Sequence, residues 1–221
     1  MEKTPIARQL IDAAQLLVNS GMLFRGEHAN LSVRLDGDQI LITRGGSIVH
    51  LGVDALAAVD LQGQTVSNEA MDPTMQEVVH MHTRVYRARP SVGAVIHTHA
   101  PHITAFAVAH RPLPLIYEPL LRFGVTESVP VVDWAPRGSD QSVGAIVDLI
   151  ARHPGLPAVL MANHGVLVFH RDALTTARLL ITLDEAAELA IHAQALGGAQ
   201  ELPVAAIDQV RERMAAFGSR P

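Results

Sequence analysis

The sequence predicts an α/β fold: a single domain built on a mixed or antiparallel sheet. Three observations predict it. Helical and strand periodicities alternate along the chain. Several strand pairs are joined by turns too short for a crossover helix, which favours antiparallel neighbours over a doubly wound parallel sheet. No repeat, low-complexity tract or Pro/Gly/Ser linker divides the 221 residues, so one domain over 1–221 is expected.

The elements follow in order. Residues 4–20 carry helical spacing, with Ile6, Leu10, Ala13, Leu16 and Leu17 on one face and Gly21 as the stop. Residues 30–35 and 39–43 read as a hairpin around Asp36-Gly37-Asp38, because Asp-Gly suits the positive φ angles of a tight turn. Residues 57–61 and 65–66 read as a second strand pair around Gln62-Gly63. Pro73 opens a helix to about Ala88, ended before Pro90. A buried strand at 94–98 leads to a helix at 101–109 with Pro101 in its first turn. Residues 112–130 are Pro-rich and irregular, and Ser139 caps a helix to about Arg152. Strands at 158–162 and 166–169 flank Asn163-His164-Gly165. Helices at 174–196 and 204–217 close the chain.

Composition narrows the function. Hydrophobic residues at 48% and charged residues at 18% exclude a disordered chain. A net charge of -5 lacks the bulk positive field that nucleic acid or an anionic membrane surface requires, so neither is expected as a partner. With no cysteine, disulfide scaffolds, zinc ribbons and thiol catalysis are excluded. The N-terminal stretch has no long apolar core and no run reaches the roughly 18 residues of a span, so a cytoplasmic protein is expected. Twelve histidines are the unusual count: a transition metal here would have to be held by His and carboxylate.

The strongest local signal is Ile96-His97-Thr98-His99. Residues two apart on a strand face the same side, so His97 and His99 can present ring nitrogens to one point. The plain alternative is a pair of hydrogen-bonded histidines. His164, in a turn between two apolar strands, is the second candidate ligand. Glu77 and His80 form a Glu-x-x-His spacing on one helix face, which is either a ligand pattern or a solvated face. Three His and one Glu open to substrate would make a zinc-type catalytic site.

The order of motifs resembles the class II aldolase/adducin family. The landmarks are Asn30-Leu31-Ser32-Val33-Arg34, Ile42-Thr43-Arg44-Gly45-Gly46, Tyr86-Arg87-Ala88-Arg89-Pro90, Val95-Ile96-His97-Thr98-His99 and Asn163-His164-Gly165, over about residues 5–200. The resemblance implies an α/β/α fold around a largely antiparallel sheet, flanked by helices. It implies one divalent ion per chain, zinc or manganese, and a homotetramer with active sites between subunits. By position it assigns His97, His99 and His164 to the metal. Glu77 falls closest to the acidic residue that binds metal and moves the proton, and Tyr117 is nearest to the acid supplied by a neighbouring subunit.

Two departures stand out. The family's Glu lies four residues before the His that matches His82, where this chain has Val78 and carries Glu77 one residue earlier. One helix residue is about 100° of rotation. The Thr and Ser donors that hold phosphate in the family are also largely lost, and Glu27 places an anion nearby. At 4 Å and an effective dielectric of about 20, a like-charge pair costs roughly 4 kcal/mol. The expectation is therefore a substrate without phosphate, held by His28, Asn30, Arg44 and Gly45. The reaction expected is retro-aldol cleavage of a hydroxy-keto or sugar-like small molecule through a metal-stabilised enolate. Decarboxylation of an aromatic or keto acid is the alternative, followed by an adducin-like binding module and a two-His-one-carboxylate oxygenase.

Overall fold

The computed structural model describes residues 3–23, 28–36, 38–66 and 71–218. Gly37 of the predicted hairpin turn and Glu27 of the phosphate argument lie outside them. The elements run α1 (Lys3–Asn19), β1 (Ala29–Arg34), β2 (Gln39–Thr43), β3 (Leu56–Asp60), α2 (Gln76–Ala88), β4 (Ala94–Thr98), α3 (Pro101–Val108), β5 (Val131–Val132), α4 (Asp140–Arg152), β6 (Ala158–Met161), β7 (Gly165–His170), α5 (Ala173–Ala193) and α6 (Val204–Gly218). Short 3-10 turns precede β3 and α2, interrupt the segment after α3, and extend α5 by three residues.

The seven strands form one sheet in the order β3-β2-β1-β4-β7-β6-β5. Every pairing is antiparallel except β5 with β6. The two-residue strand β5 was not legible as a strand, since Val131-Val132 is too short to show a period of two. The predicted partner of β3 at 65–66 contracts to a single bridge between Val59 and Thr65.

Alternation across the pleat divides the core. Leu31, Val33, Ile96, Leu160, Val166 and Val168 join the cluster under α1, α3 and α5. Ile40, Ile42, Val95, Val159, Leu167 and Phe169 join the cluster under α2 and α4. Helices thus cover both faces of the sheet, the three-layer arrangement that buries two apolar surfaces at once.

Side-chain caps set the helix starts that matter for the site. The Ser139 hydroxyl accepts from the Ser142 amide at the start of α4. Asp72 caps the 3-10 turn ahead of α2, accepting from the Thr74 amide at 2.9 Å. The buried Asp184 of α5 accepts from the amides of His102 and Ile103, each at 2.9 Å, and so caps α3 from a distant part of the chain. Its second oxygen lies 2.9 Å from His102 Nδ1, which gives that histidine a structural partner.

Candidate metal centre and active-site cleft

The site is assembled where β4 and the β6–β7 turn meet the layer holding α2 and α4. His97 lies on the same side of β4 as Val95, facing the α2/α4 layer, and His99 follows just beyond the end of the strand. His164 comes from the three-residue turn between β6 and β7. That turn is held by Asn163 in the left-handed region, φ 57°, a conformation Asn tolerates better than most residues. The Asn163 amide donates to the Ala107 carbonyl at 3.1 Å and its side-chain oxygen lies 2.6 Å from His110 Nε2. The turn is therefore fixed from the α3 side.

The three imidazoles bring one nitrogen each within 4.8 Å of the others. Ring centroids stand 5.1 Å (His97 and His99), 4.8 Å (His97 and His164) and 5.1 Å (His99 and His164) apart. His97 Nδ1 donates to the Val166 carbonyl at 2.9 Å, which fixes the ring and leaves Nε2 as the nitrogen able to bind an ion. His99 Nε2 is buried with no hydrogen-bond partner. Gly165 is required at the back of the cluster: a Cβ there would meet the Thr98 carbonyl at 2.6 Å and His99 Cδ2 at 2.7 Å.

Electrostatics agree with a cation site. Burial, with the neighbouring His164 and His99, pushes His97 well below the ordinary histidine range. Burial lowers His99, with His28 and Arg137 adding to it. Burial, then His99 and Arg137, brings His164 down to about 4. All three rings are thus neutral near pH 7, the state a metal ligand needs. A buried, orphaned ring nitrogen beside two neutral imidazoles, with no room for a Cβ behind them, fits a divalent ion.

Asn30 stands opposite His97 in the β1–β4 register. Its side-chain oxygen lies 2.7 Å from His82 Nε2. His82 Nδ1 lies 2.7 Å from Ser32 Oγ, and Ser32 Oγ lies 2.9 Å from the Tyr86 hydroxyl. The acceptor at Asn30 makes Nε2 the donor, so Nδ1 accepts from Ser32, which accepts from Tyr86. Complete burial brings His82 down to about 3 and raises the Tyr86 phenol well above its usual value. This neutral, satisfied chain fixes the Asn30 carboxamide beside the imidazole cluster.

A cleft of about 590 Å3 opens over the cluster, lined among others by His28, Asn30, Gly46, Glu77, Trp134 and Arg137. Glu77 sits in the first turn of α2, which begins at Gln76, so no late helix start absorbs the one-residue offset. Val78, at the family's Glu position, is buried and also lines the cleft. Glu77 Oε2 pairs with Arg137 Nε at 2.9 Å. Gly138 fits against the Glu77 side chain, whose Cβ would lie 2.7 Å from an added Cβ.

The other predicted residues divide. His28 and Asn30 line the cleft; Arg44 and Gly45 do not, and Gly46 takes that place in the Gly pair. Arg44 Nη1 donates to the Asp54 carbonyl at 2.7 Å. Tyr117 packs against the core cluster on the opposite face of the sheet and does not line this cleft. His80 lies 3.4 Å from Asp140, outside the cleft. Sequence reasoning missed Asp72, Asp133 and Arg137, which all line the cleft. An Asp-Pro pair ahead of a helix is a capping signal for Asp72; nothing local marked Arg137.

These features define a three-layer α/β protein with a cluster of three imidazoles, able to hold a metal ion, at one end of its sheet. The profile described as Class II Aldolase and Adducin N-terminal domain matches residues 8–191, and the chain belongs to that family. A 5-methylthioribulose-1-phosphate/5-deoxyribulose-1-phosphate aldolase of Rhodospirillum rubrum is 28% identical over 219 residues, covering 95% of this chain and 90% of that protein. A 3-oxo-tetronate 4-phosphate decarboxylase of Haemophilus influenzae is 30% identical, covering 74% and 77%. A methylthioribulose-1-phosphate dehydratase of Marinobacter nauticus is 31% identical, covering 75% and 82%. Among solved structures, an L-fuculose 1-phosphate aldolase superposes with a TM-score of 0.84 at 24% identity, covering 97% of this chain and 98% of that one. The family is thus one of enzymes, spanning aldolases, a dehydratase and a decarboxylase. No helix among the described residues is long and apolar enough to cross a membrane.

Proposed function

We propose that this chain is a metal-dependent carbon–carbon lyase that cleaves a small hydroxy-keto or sugar-like substrate by a retro-aldol step. The observation that carries the reading is the convergence of His97, His99 and His164 on one point, with the buried His99 nitrogen unpaired. These residues would hold one divalent ion, zinc or manganese, with Glu77 on the adjoining wall. Such an ion supplies Lewis acidity that draws electrons toward a carbonyl as the neighbouring C–C bond breaks. Asn30, fixed through His82, anchors substrate oxygens. Glu77 moves the proton from the cleft wall. His28 completes the binding surface. Tyr117 serves as an acid only in the site of a second copy, as in a homotetramer, because in its own chain it lies across the sheet.

The three relatives' names carry phosphorylated compounds. In this cleft the donors that would suit a phosphate at the head of α2 are already engaged: the Thr74 amide and hydroxyl both donate to Asp72 Oδ1, at 2.9 and 2.7 Å. That self-pairing holds the Asp72 carboxyl below the usual range. With Glu77 and Asp133 also lining the cleft, the balance favours an unphosphorylated substrate. Decarboxylation in the same cleft is the second reading, favoured by the presence of Arg137.

The test is metal content by elemental mass spectrometry of untagged protein, beside a His97→Ala/His99→Ala variant. About one divalent ion per chain is expected, absent from the variant, which keeps only His164 of the three histidines. Full metal in the variant, or none in the parent after zinc and manganese are added, refutes the reading. Release of aldehyde or carbon dioxide from hydroxy-keto acids then separates the two reactions.

A further inference from the structure

We propose that Arg137 is the specificity residue of the cleft and that it reads a substrate carboxylate, making the substrate a hydroxy-keto acid. The inference rests on the lyase reading of the same cleft. Arg137 is the one Lys or Arg among the described residues that line it. Its Nε is taken by Glu77 at 2.9 Å, and Glu77 is the partner recorded for its guanidinium. The two Nη groups remain, and together they form the end-on edge that accepts a carboxylate through two parallel hydrogen bonds.

The arrangement places two functions on one planar group. Glu77, the candidate proton carrier, is held at Nε, while the substrate carboxylate docks at the Nη edge. The guanidinium's rigidity then fixes the distance between acid and substrate, which a Lys ammonium would not do. Gly138 lets the loop approach Glu77 this closely: it has φ 72° and a Cβ there would run into the Glu77 side chain. Charge also selects for a single carboxylate. Arg137 pairs with Glu77 and shares the cleft with Asp72 and Asp133, so a monoanion adds less repulsion than a phosphate dianion. Trp134, 61% exposed, lines the same cleft three residues before Arg137 and provides it an apolar surface.

Trp134 is the single tryptophan, so its emission reports the cleft directly. The experiment titrates zinc-loaded protein with hydroxypyruvate, dihydroxyacetone and dihydroxyacetone phosphate, following that emission. Hydroxypyruvate and dihydroxyacetone share the hydroxy-keto unit and differ in the carboxylate. Hydroxypyruvate is expected to bind on the order of 10- to 100-fold more tightly, the range for a charge-assisted bidentate contact. Arg137→Gln should erase that gap while leaving the dihydroxyacetone Kd within about twofold; Arg137→Lys should restore part of it. A gap that persists in Arg137→Gln overturns the proposal, since the ion or another group then reads the carboxylate. Tighter binding of the phosphate, dependent on Arg137, makes this residue a phosphate receptor and also overturns it. Zinc-dependent dihydroxyacetone binding with no Arg137 effect on hydroxypyruvate leaves the lyase reading standing and removes this one. Arg137-dependent hydroxypyruvate binding that ignores zinc does the reverse, and silence of all three probes refutes both.

Discussion

Gly165→Ala tests whether the back of the imidazole cluster is as tightly built as its geometry implies. The added Cβ would lie 2.6 Å from the Thr98 carbonyl oxygen, 2.7 Å from His99 Cδ2 and 3.4 Å from His97 Cε1. Ordinary contacts begin at roughly 3.5 Å, so the first two fall short by about 0.8–0.9 Å. Thr98 is locked in the ladder with Val166 and cannot retreat. The His99 ring can, and relief therefore displaces one of the three proposed ligands. Ligand distances at a metal site tolerate only about 0.2 Å. Overpacking of this kind costs about 1–3 kcal/mol, and at this chain length about 2–4 °C of Tm is lost per kcal/mol. The assay is thermal unfolding with chelator and with a zinc series. The variant should melt about 2–12 °C lower without metal. Its zinc midpoint should rise at least ~10-fold, the loss typical of disturbing a ligand's support. Gly144→Ala is the control: nothing lies within 4 Å of its added Cβ in α4, so it should be neutral or stabilise by about 0.5–1 kcal/mol. A Gly165→Ala protein with the parent's metal-free Tm and zinc midpoint would refute the reasoning.

Two further perturbations address the supports of the site. His82→Ala strands Asn30 Oδ1 and takes away the acceptor of the Ser32 hydroxyl, and should cost about 2–5 kcal/mol by urea unfolding. His82 also sets a pH signature. Folded His82 stays neutral down to about 3, while an unfolded imidazole protonates near 6.5. The unfolded chain therefore binds the extra proton in between, so this stability is complete above pH 6.5 and is lost as pH falls toward 3. Unfolding at pH 7.5 and 5.0 should show that decline, and His82→Gln should reduce it; an unchanged decline would contradict the assignment. Asp184→Ala removes the acceptor of two α3 amides and of His102, and should destabilise by about 2 kcal/mol or more. Hydrogen exchange at the His102 and Ile103 amides should accelerate, and unchanged exchange would show that α3 holds its start without α5.

Much of the fold was legible because its signals are local. Each major helix and all the strands except β5 follow from periodicity and from Gly, Pro and Ser punctuation within a few residues. The imidazole cluster was legible for the same reason: His97 and His99 are two apart at a strand end, and His164 sits in a marked turn. The partners of Glu77 were not. Whether Glu77 or Val78 faces the cleft depends on where α2 starts, and the 3-10 turn Pro73–Met75 ahead of it sets that phase. Both residues reach the cleft, Glu77 drawn to Arg137 from a loop 60 residues later.

The sequence by itself determined the chemistry available: a cysteine-free chain, rich in histidine, with ligand-type side chains at the ends of apolar strands. Tertiary structure alone decided which polar groups meet. The register that sets Asn30 against His97, the chain of Tyr86, Ser32 and His82 behind it, and the reach of Asp184 to α3 all join residues 50 or more positions apart. No local pattern encodes such contacts. They form because the strand pairings and helix packing that bury two apolar faces also enclose these polar atoms, which then satisfy one another across the fold.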